Sequence, residues 1–350
     1  MDAVLAARLG SQLLAGPTAS SAEEAVGRLL AVQGQDARGF RLAVRARTDG
    51  VAAADVDAGL AERRLVVAWL NRGTLHLVRA EDNGWLHALT TPPLRATSAT
   101  RLRQEGVSPE QAVRGVDAVV TEIERHGPRS RDELRAALDA AGVPTAGQAL
   151  VHVLLAATLQ HRLLRGPVVD GEHRMVLADD WLPPAPELDR EEALARLATR
   201  YLAAHGPAAD RDLATWAGLP LRDARTGLAA IATSTTVRDG LVDLADRPPP
   251  PPPPPPRLLG NFDPLLHGWH SRDAVLGRHD SRIVAGGIFR SWAMVDGAPV
   301  AVWRISGGRV RIRPFVPLPA EVEAALSADA AAVLEFLGLP TRDPLVEPPG

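Results

Sequence analysis

Apolar positions in the first part of the chain recur at helical spacing and then change period. Residues 2–14 and 21–32 carry the three-and-four repeat of amphipathic helices. Ser20 and Ser21 can cap the second, and Glu23 and Glu24 suit its first turn. A short helix is expected at 55–64, with Asp55 as its cap. The stretch RRLVVAWLNRGTLHLVRAED then alters the pattern. Val66, Val67, Trp69 and Leu70 precede Asn71-Arg72-Gly73, and Leu75 and Leu77 follow in alternation, which predicts a β-ribbon or wing turning near Gly73. The longer period resumes at Glu81.

An internal echo organises the middle of the chain. HGPRSRDEL at 126–134 and HGPAADRDL at 205–213 share His-Gly-Pro, then an acidic residue and a leucine at the same offsets. Each closes an amphipathic helix (116–126 and 190–205) and opens another, so His126 and His205 read as helix-end residues. The implied unit is helix, Gly-Pro turn, helix, helix, hairpin. In its first copy the third helix covers about 145–161, and LLRGPVVDGEHRMVLAD forms a hairpin turning at Asp170-Gly171. Three short helices followed by a two-stranded wing is the winged form of helix-turn-helix.

Residues 248–256 are nine consecutive prolines. They fit neither helix nor paired strand, and read as a solvated polyproline spacer about 28 Å long when extended, with an SH3-type ligand as the alternative. Beyond them, GGIFRSWAMVDGAPVAVWRISGGRVRIRPF is β-rich, with turns at Asp296-Gly297 and Gly307-Gly308. Six arginines (282, 290, 304, 309, 311, 313) face one acid, Asp296, between 281 and 313. Arg309, Arg311 and Arg313 alternate with Val310 and Ile312. One strand face is then apolar and the other cationic, suited to phosphates or to solvent. Asp263-Pro264 reads as a capped turn, and one amphipathic helix covers 319–337. The fold class is α+β and mainly helical, with tandem winged-helix units at 1–115, 116–186 and 187–247, the spacer at 248–256 and a β-rich region with a terminal helix at 257–350.

Composition removes several chemistries. The chain has 350 residues, 39 basic and 42 acidic, so its charge announces no polyanion partner. It has no cysteine, which excludes disulfides, thiolate metal sites and cysteine nucleophiles. Every basic side chain is arginine; without lysine, no side chain can form a Schiff base. His267 and His270 lie three apart but have no cysteine or evident carboxylate to complete a metal site, so no metal and no cofactor is expected. The amino terminus does not look like a signal peptide, and no apolar run is long enough to span a membrane; a soluble, cytoplasmic monomer is expected.

The stretch LLAVQGQDARGF, residues 29–40, places Gln33 and Gln35 around Gly34 where a helix runs out. In an extended turn both amides point to roughly the same side, and the glycine permits close approach. Two carboxamides can hold one water between an acceptor and a donor, although they cannot strongly deprotonate it. That suits a reaction with a good leaving group and a nucleophile that needs only placement. A helix-end hydrogen-bonding patch is the plainer reading. Asp36 can assist the water or pair with Arg38.

LLAVQGQDARGF, VVAWLNRGTLHLVRAED and LLGNFDPLLHGW together resemble the winged-helix DNA glycosylases of the AlkZ/YcaQ kind, over about residues 5–345. The resemblance implies tandem winged helices in a C-shaped arrangement and a Gln-Φ-Gln motif with Φ aliphatic. Gln33 and Gln35 match its first and last positions, and Gly34 departs from Φ. It further implies excision of bulky N-alkylated purines, including crosslinked guanines, with Gln33 and Gln35 catalytic, and self-protection in producers of DNA-alkylating compounds. The partner is then duplex DNA, with Arg38, Arg72, His76, Arg290, Arg309, Arg311 and Arg313 as its candidate ligands. The competing reading is a non-catalytic winged-helix DNA-binding protein or regulator.

Overall fold

The computed structural model describes residues 2–185 and 187–350. They form two compact units, one of residues 2–56 with Leu194–Gly350 and the other Asp57–Ala193.

The first unit opens with α1 (Ala3–Ser11), α2 (Ala22–Leu29), the two-residue strand β1 (Val32–Gln33) and α3 (Ala37–Arg45). The Ser21 hydroxyl accepts from Glu24 N at 3.1 Å and caps α2. Helix α2 stops at Leu29 because Leu30 turns to φ +66°, so the chain leaves the helix three residues earlier than its periodicity suggests. The chain passes into the second unit within α4 (Ala53–Ala61).

In the second unit, β2 (Leu65–Leu70) and β3 (Thr74–Arg79) form the expected ribbon, with Asn71 and Gly73 both at positive φ in its turn. Helices α5 (Ala80–Thr90), α6 (Pro92–Gln104), α7 (Pro109–His126), α8 (Arg131–Ala140) and α9 (Ala149–Leu159) follow. They lead to β4 (Leu163–Val169), β5 (Glu172–Leu177) and the single turn α10 (Ala178–Trp181). Helix α7 starts seven residues earlier than 116 because Pro109 occupies its first turn and Ser108 and Gln111 close a capping box. Val116, Val119 and Ile123 of α7 bury against Leu134 and Leu138 of α8 and Leu150 and Val153 of α9. The two hairpins are not separate ribbons. Val67 pairs with Arg165, joining them as β3-β2-β4-β5. Strand β2 is buried at all six positions rather than alternating, with α5 and α9 packed against it.

The echo is visible in the elements. Helices α11 (Arg190–His205), α12 (Asp210–Ala217) and α13 (Leu221–Ala230) precede β6 (Thr235–Arg238) and β7 (Leu241–Leu244), the same order as α7, α8, α9, β4, β5. In both copies the residue three after the histidine makes a one-residue bridge to the second strand: Arg129 with Met175, and Ala208 with Val242. The chain re-enters the first unit within α11.

The nine prolines form neither helix nor strand, as expected, but they are not wholly solvated. Pro254 is buried, and Pro251 packs where Gly10 and Gly16 leave room: a Cβ on Gly10 would lie 2.9 Å from Pro251 Cδ. The spacer is therefore laid on the N-terminal segment. Then come β8 (Arg257–Leu259), the single turns α14 (Asp273–Leu276) and α15 (Asp280–Ile283), and the small hairpin β9 (Val284–Ala285) and β10 (Ile288–Phe289). Strands β11 (Trp292–Val295), β12 (Ala298–Ser306) and β13 (Arg309–Pro314), helix α16 (Ala320–Phe336) and strand β14 (Leu345–Val346) complete the unit. The sheet order is β14-β13-β12-β11-β8, with β14 parallel to β13. Val310 and Ile312 turn inward, and with Leu42 of α3 and Leu326, Val333 and Leu334 of α16 they make one core. Helix α3, which follows the glutamines, is thus anchored on the C-terminal sheet. No helix among the described residues is long and apolar enough to cross a membrane.

Candidate active site and nucleic-acid interface

The glutamine segment is held from both ends. Upstream lies the end of α2. Downstream, Asp36 caps α3, its Oδ1 accepting from Gly39 N at 2.6 Å. The carboxylate is therefore committed to the helix end, where the dipole favours it. Gln33 is 6% exposed, and its carbonyl Oε1 is buried without accepting a hydrogen bond from the protein. Gly34 is buried and Gln35 is exposed. The two amides thus sit in different surroundings, where the sequence reading puts both on one open side. An unpaired buried carbonyl costs about 1–3 kcal/mol, and Gln33 Oε1 is one of several buried polar atoms in that state among the described residues.

Helix α3 is clamped by the Asn-Phe-Asp segment. Gly39 faces Asn261 so closely that an added Cβ would lie 2.6 Å from its backbone O and 2.7 Å from its Oδ1. Just past α3, Arg47 donates from Nη1 to Asp263 Oδ2 at 2.9 Å and from Nη2 to Asp263 Oδ1 at 2.8 Å, with both side chains fully buried. Arg47 Nη2 also reaches Gln12 Oε1 at 2.8 Å, and Gln12 Nε2 lies 2.9 Å from His205 Nδ1. Asp263 also caps the turn it begins, accepting from Leu265 N at 2.9 Å. Arg47 and Asp263 lie 216 residues apart in sequence and Gln12 and His205 lie 193 apart, and no local pattern announces either pair.

One residue beyond Gln35, a cavity of about 670 Å³ opens in the same unit. Asp36, Ala37 and Arg38 line one side; Asn261, Phe289, Arg290 and Ser291 and the β12–β13 residues Trp303, Arg304 and Arg313 line the rest. The structure therefore brings together Arg38, Arg290 and Arg313, all exposed, from three separate stretches of sequence. Arg304 joins them although the sequence reading counts it only in a cationic run. Its signal was its place in the strand: Arg304 stands directly opposite Arg311 across β12 and β13.

The cationic strand carries a counter-charge. Glu347, just after β14, accepts from Arg304 Nη2 at 2.8 Å and from Arg313 Nε at 3.1 Å, and lies 3.6 Å from Arg311 Nη1. Burial pushes this carboxyl up, but the Arg304 charge and the two hydrogen bonds outweigh it and hold the group below the usual carboxylate range.

Other candidates lie apart from the cavity lining. Arg309 begins β13 beside the Gly307-Gly308 turn, opposite Ser306. In the second unit, Arg72 is exposed at its ribbon turn. His76, which the sequence reading places among the DNA ligands, is 4% exposed, and its Nδ1 meets Thr74 O at 2.9 Å. Burial, with the Arg72 charge, lowers its pKa to about 3. It is a neutral interior ring. His205 is likewise interior, packed edgewise or tilted against Tyr201, Trp216 and Trp269, whereas its counterpart His126 is half-exposed. No group of three or more histidine, cysteine, aspartate or glutamate residues suited to a metal occurs among the described residues.

A family model described as DNA glycosylase AlkZ-like matches residues 26–336. An interstrand DNA cross-link repair glycosylase of Streptomyces sahachiroi is 29% identical over 366 residues, covering 94% of this chain and 96% of that protein. The solved structure of Streptomyces sahachiroi DNA glycosylase AlkZ aligns with a TM-score of 0.79 at 26% identity, over 99% of this chain and 98% of that one.

Proposed function

Since the chain belongs to the AlkZ-like DNA glycosylase family, we propose that it hydrolyses the N-glycosidic bond of alkylated purines, N7-alkylguanines and bulky adducts among them, in duplex DNA. The two helix–hairpin runs that share the echo are, in this reading, winged helices. The N7-alkylated base carries a positive charge, so its bond to the sugar is already weak. As that bond breaks, its electron pair neutralises the base and leaves an oxocarbenium-like sugar. Water adds to C1′ and releases a proton to solvent. No strong acid is needed. Gln33 and Gln35 place the water, and their carbonyl dipoles stabilise the cationic sugar. Without a lysine side chain the enzyme is monofunctional: it leaves an abasic site and makes no lysine-type strand break.

The observation that supports this most is Gln33 Oε1, a buried acceptor that takes no hydrogen bond from the protein, in the segment leading to the arginine-lined cavity. That cavity suits the phosphates flanking an adduct, with Arg38, Arg290 and Arg313 as ligands; Arg72, Arg309 and Arg311 extend the cationic set. The cross-link repair named for the Streptomyces sahachiroi relative extends the proposal to interstrand crosslinks, and to self-protection in a producer of such agents. The test is incubation of the purified protein with duplex DNA carrying 7-methylguanine or a guanine–guanine crosslink. Release of free base and appearance of alkali-labile sites support the reading. A sequence-specific footprint with no base released assigns the chain instead to non-catalytic DNA-binding proteins.

A further inference from the structure

We propose that Arg304, Arg311 and Arg313 form a DNA-phosphate site whose resident occupant is the Glu347 carboxylate, so that the segment 345–350 is a displaceable strap on the DNA face. The proposal rests on the reading of this chain as a DNA glycosylase and adds a competitor to its DNA-binding surface.

Four observations carry it. First, Arg304 and Arg311 stand directly opposite on neighbouring strands, an arrangement that repels unless an anion lies between them. Glu347 supplies that anion and touches Arg313 as well. Guanidinium recognises carboxylate and phosphate with the same geometry, so a group that fits one fits the other. Second, Glu347 is the shared partner of three guanidiniums, which leaves the cluster with excess positive charge. Third, the arginines stay reachable: the side chains of Arg304 and Arg313 are 54% and 52% exposed, and both line the cavity that Arg38 and Arg290 also line. A phosphate arriving there meets guanidiniums that already hold a carboxylate.

Fourth, the strap is lightly fastened. Its parallel pairing to β13 covers only Leu345 and Val346. Glu347 N donates to Ile312 O at 2.8 Å and Gly350 N to Pro314 O at 3.1 Å, and Arg282 Nη1 donates to Gly350 O at 3.0 Å. Pro344, Pro348 and Pro349 have no N–H with which to extend the ladder. A short edge strand interrupted by prolines opens at far lower free energy than the sheet beneath it. The strap thereby lowers affinity for undamaged DNA and yields where the duplex is held by other contacts as well.

The experiment compares the full-length protein with Glu347→Gln and Glu347→Asp on a short undamaged duplex, across a salt series, with thermal melting as a check on folding. Removing the charge in Glu347→Gln tightens binding several-fold and steepens the log–log salt dependence by about 1, the value for one more phosphate neutralised. Glu347→Asp, which keeps the charge, stays close to the parent. Unchanged or weaker binding by a folded Glu347→Gln overturns the strap, because the carboxylate then organises the arginines for DNA rather than competing with it. Should Glu347→Gln fail to fold, Glu347→Asp decides with Arg304→Ala: equal DNA affinity of Arg304→Ala and parent overturns the site, and weaker binding supports it. Base release by the parent protein is measured separately, so failure of the glycosylase reading is distinguishable from failure of the strap.

Discussion

Arg47 and Asp263 form a doubly hydrogen-bonded ion pair with neither side chain exposed to solvent, and it fastens the end of α3 to the Asn-Phe-Asp segment. Removing one partner of such a pair strands the other charge without water. Asp263→Ala is expected to destabilise the first unit by about 3–5 kcal/mol, read from the denaturant midpoint, and to reduce base release even where the protein remains folded. A change within the scatter of surface substitutions would show that the pair does not hold α3.

Gly39 is the second fixture of the same junction. A methyl group there would sit inside van der Waals contact with Asn261, whose backbone O lies 2.6 Å from the Cβ position. Gly39→Ala is expected to cost about 1–3 kcal/mol, although alanine is the better helix former. A stabilised Gly39→Ala protein would mean that the loop gives way freely.

The arginines of the cavity are expected to act additively through phosphates. Arg38→Ala, Arg290→Ala and Arg313→Ala should each weaken binding to any duplex and flatten the salt slope by about 1. Fluorescence anisotropy over a salt series measures both. His76→Gln, altering an interior ring, should leave the slope unchanged.

Acid should destabilise the chain through its buried histidines. Burial lowers His76 and His205 to about 3 and His87 to about 4. Each folded-state value lies below the unfolded value near 6.5. Above that pH both states are neutral and nothing is lost. As pH falls from about 6.5 towards 4, the unfolded chain takes up protons that the native rings refuse, and stability falls by up to about 1.4 kcal/mol per pH unit for each histidine. Urea unfolding at pH 7 and pH 5 tests this: the midpoint should fall at pH 5, and less steeply in His87→Gln. Equal midpoints at the two pH values would contradict neutral burial.

Much of this arrangement is legible in the sequence where local rules apply. The ribbon turn at Asn71–Gly73, the hairpin at Asp170-Gly171 and the helix start at Ser21 follow from turn and capping chemistry. The echo foretells the order of elements in both of its copies. What the sequence hides is long-range. Nothing local says that β2 joins β4, that Pro251 lies against Gly10, or that Asp263 belongs to Arg47. Period two correctly turns Val310 and Ile312 inward and leaves the arginines outward. It could not show that Glu347, more than thirty residues on, sits among them. The same limit explains the glutamines: alternation puts both on one side, but burial is set by what the rest of the chain packs around each.

The central claim is that Gln33 and Gln35 carry the chemistry. Release of 7-methylguanine from alkylated duplex DNA, measured in single turnover with saturating enzyme, tests it directly against Gln33→Ala/Gln35→Ala. Loss of one preorganised stabilising group typically costs about 100- to 1,000-fold in rate. The double variant is therefore expected to bind DNA normally while its release falls to the uncatalysed background. Parental release by a folded double variant would contradict the account.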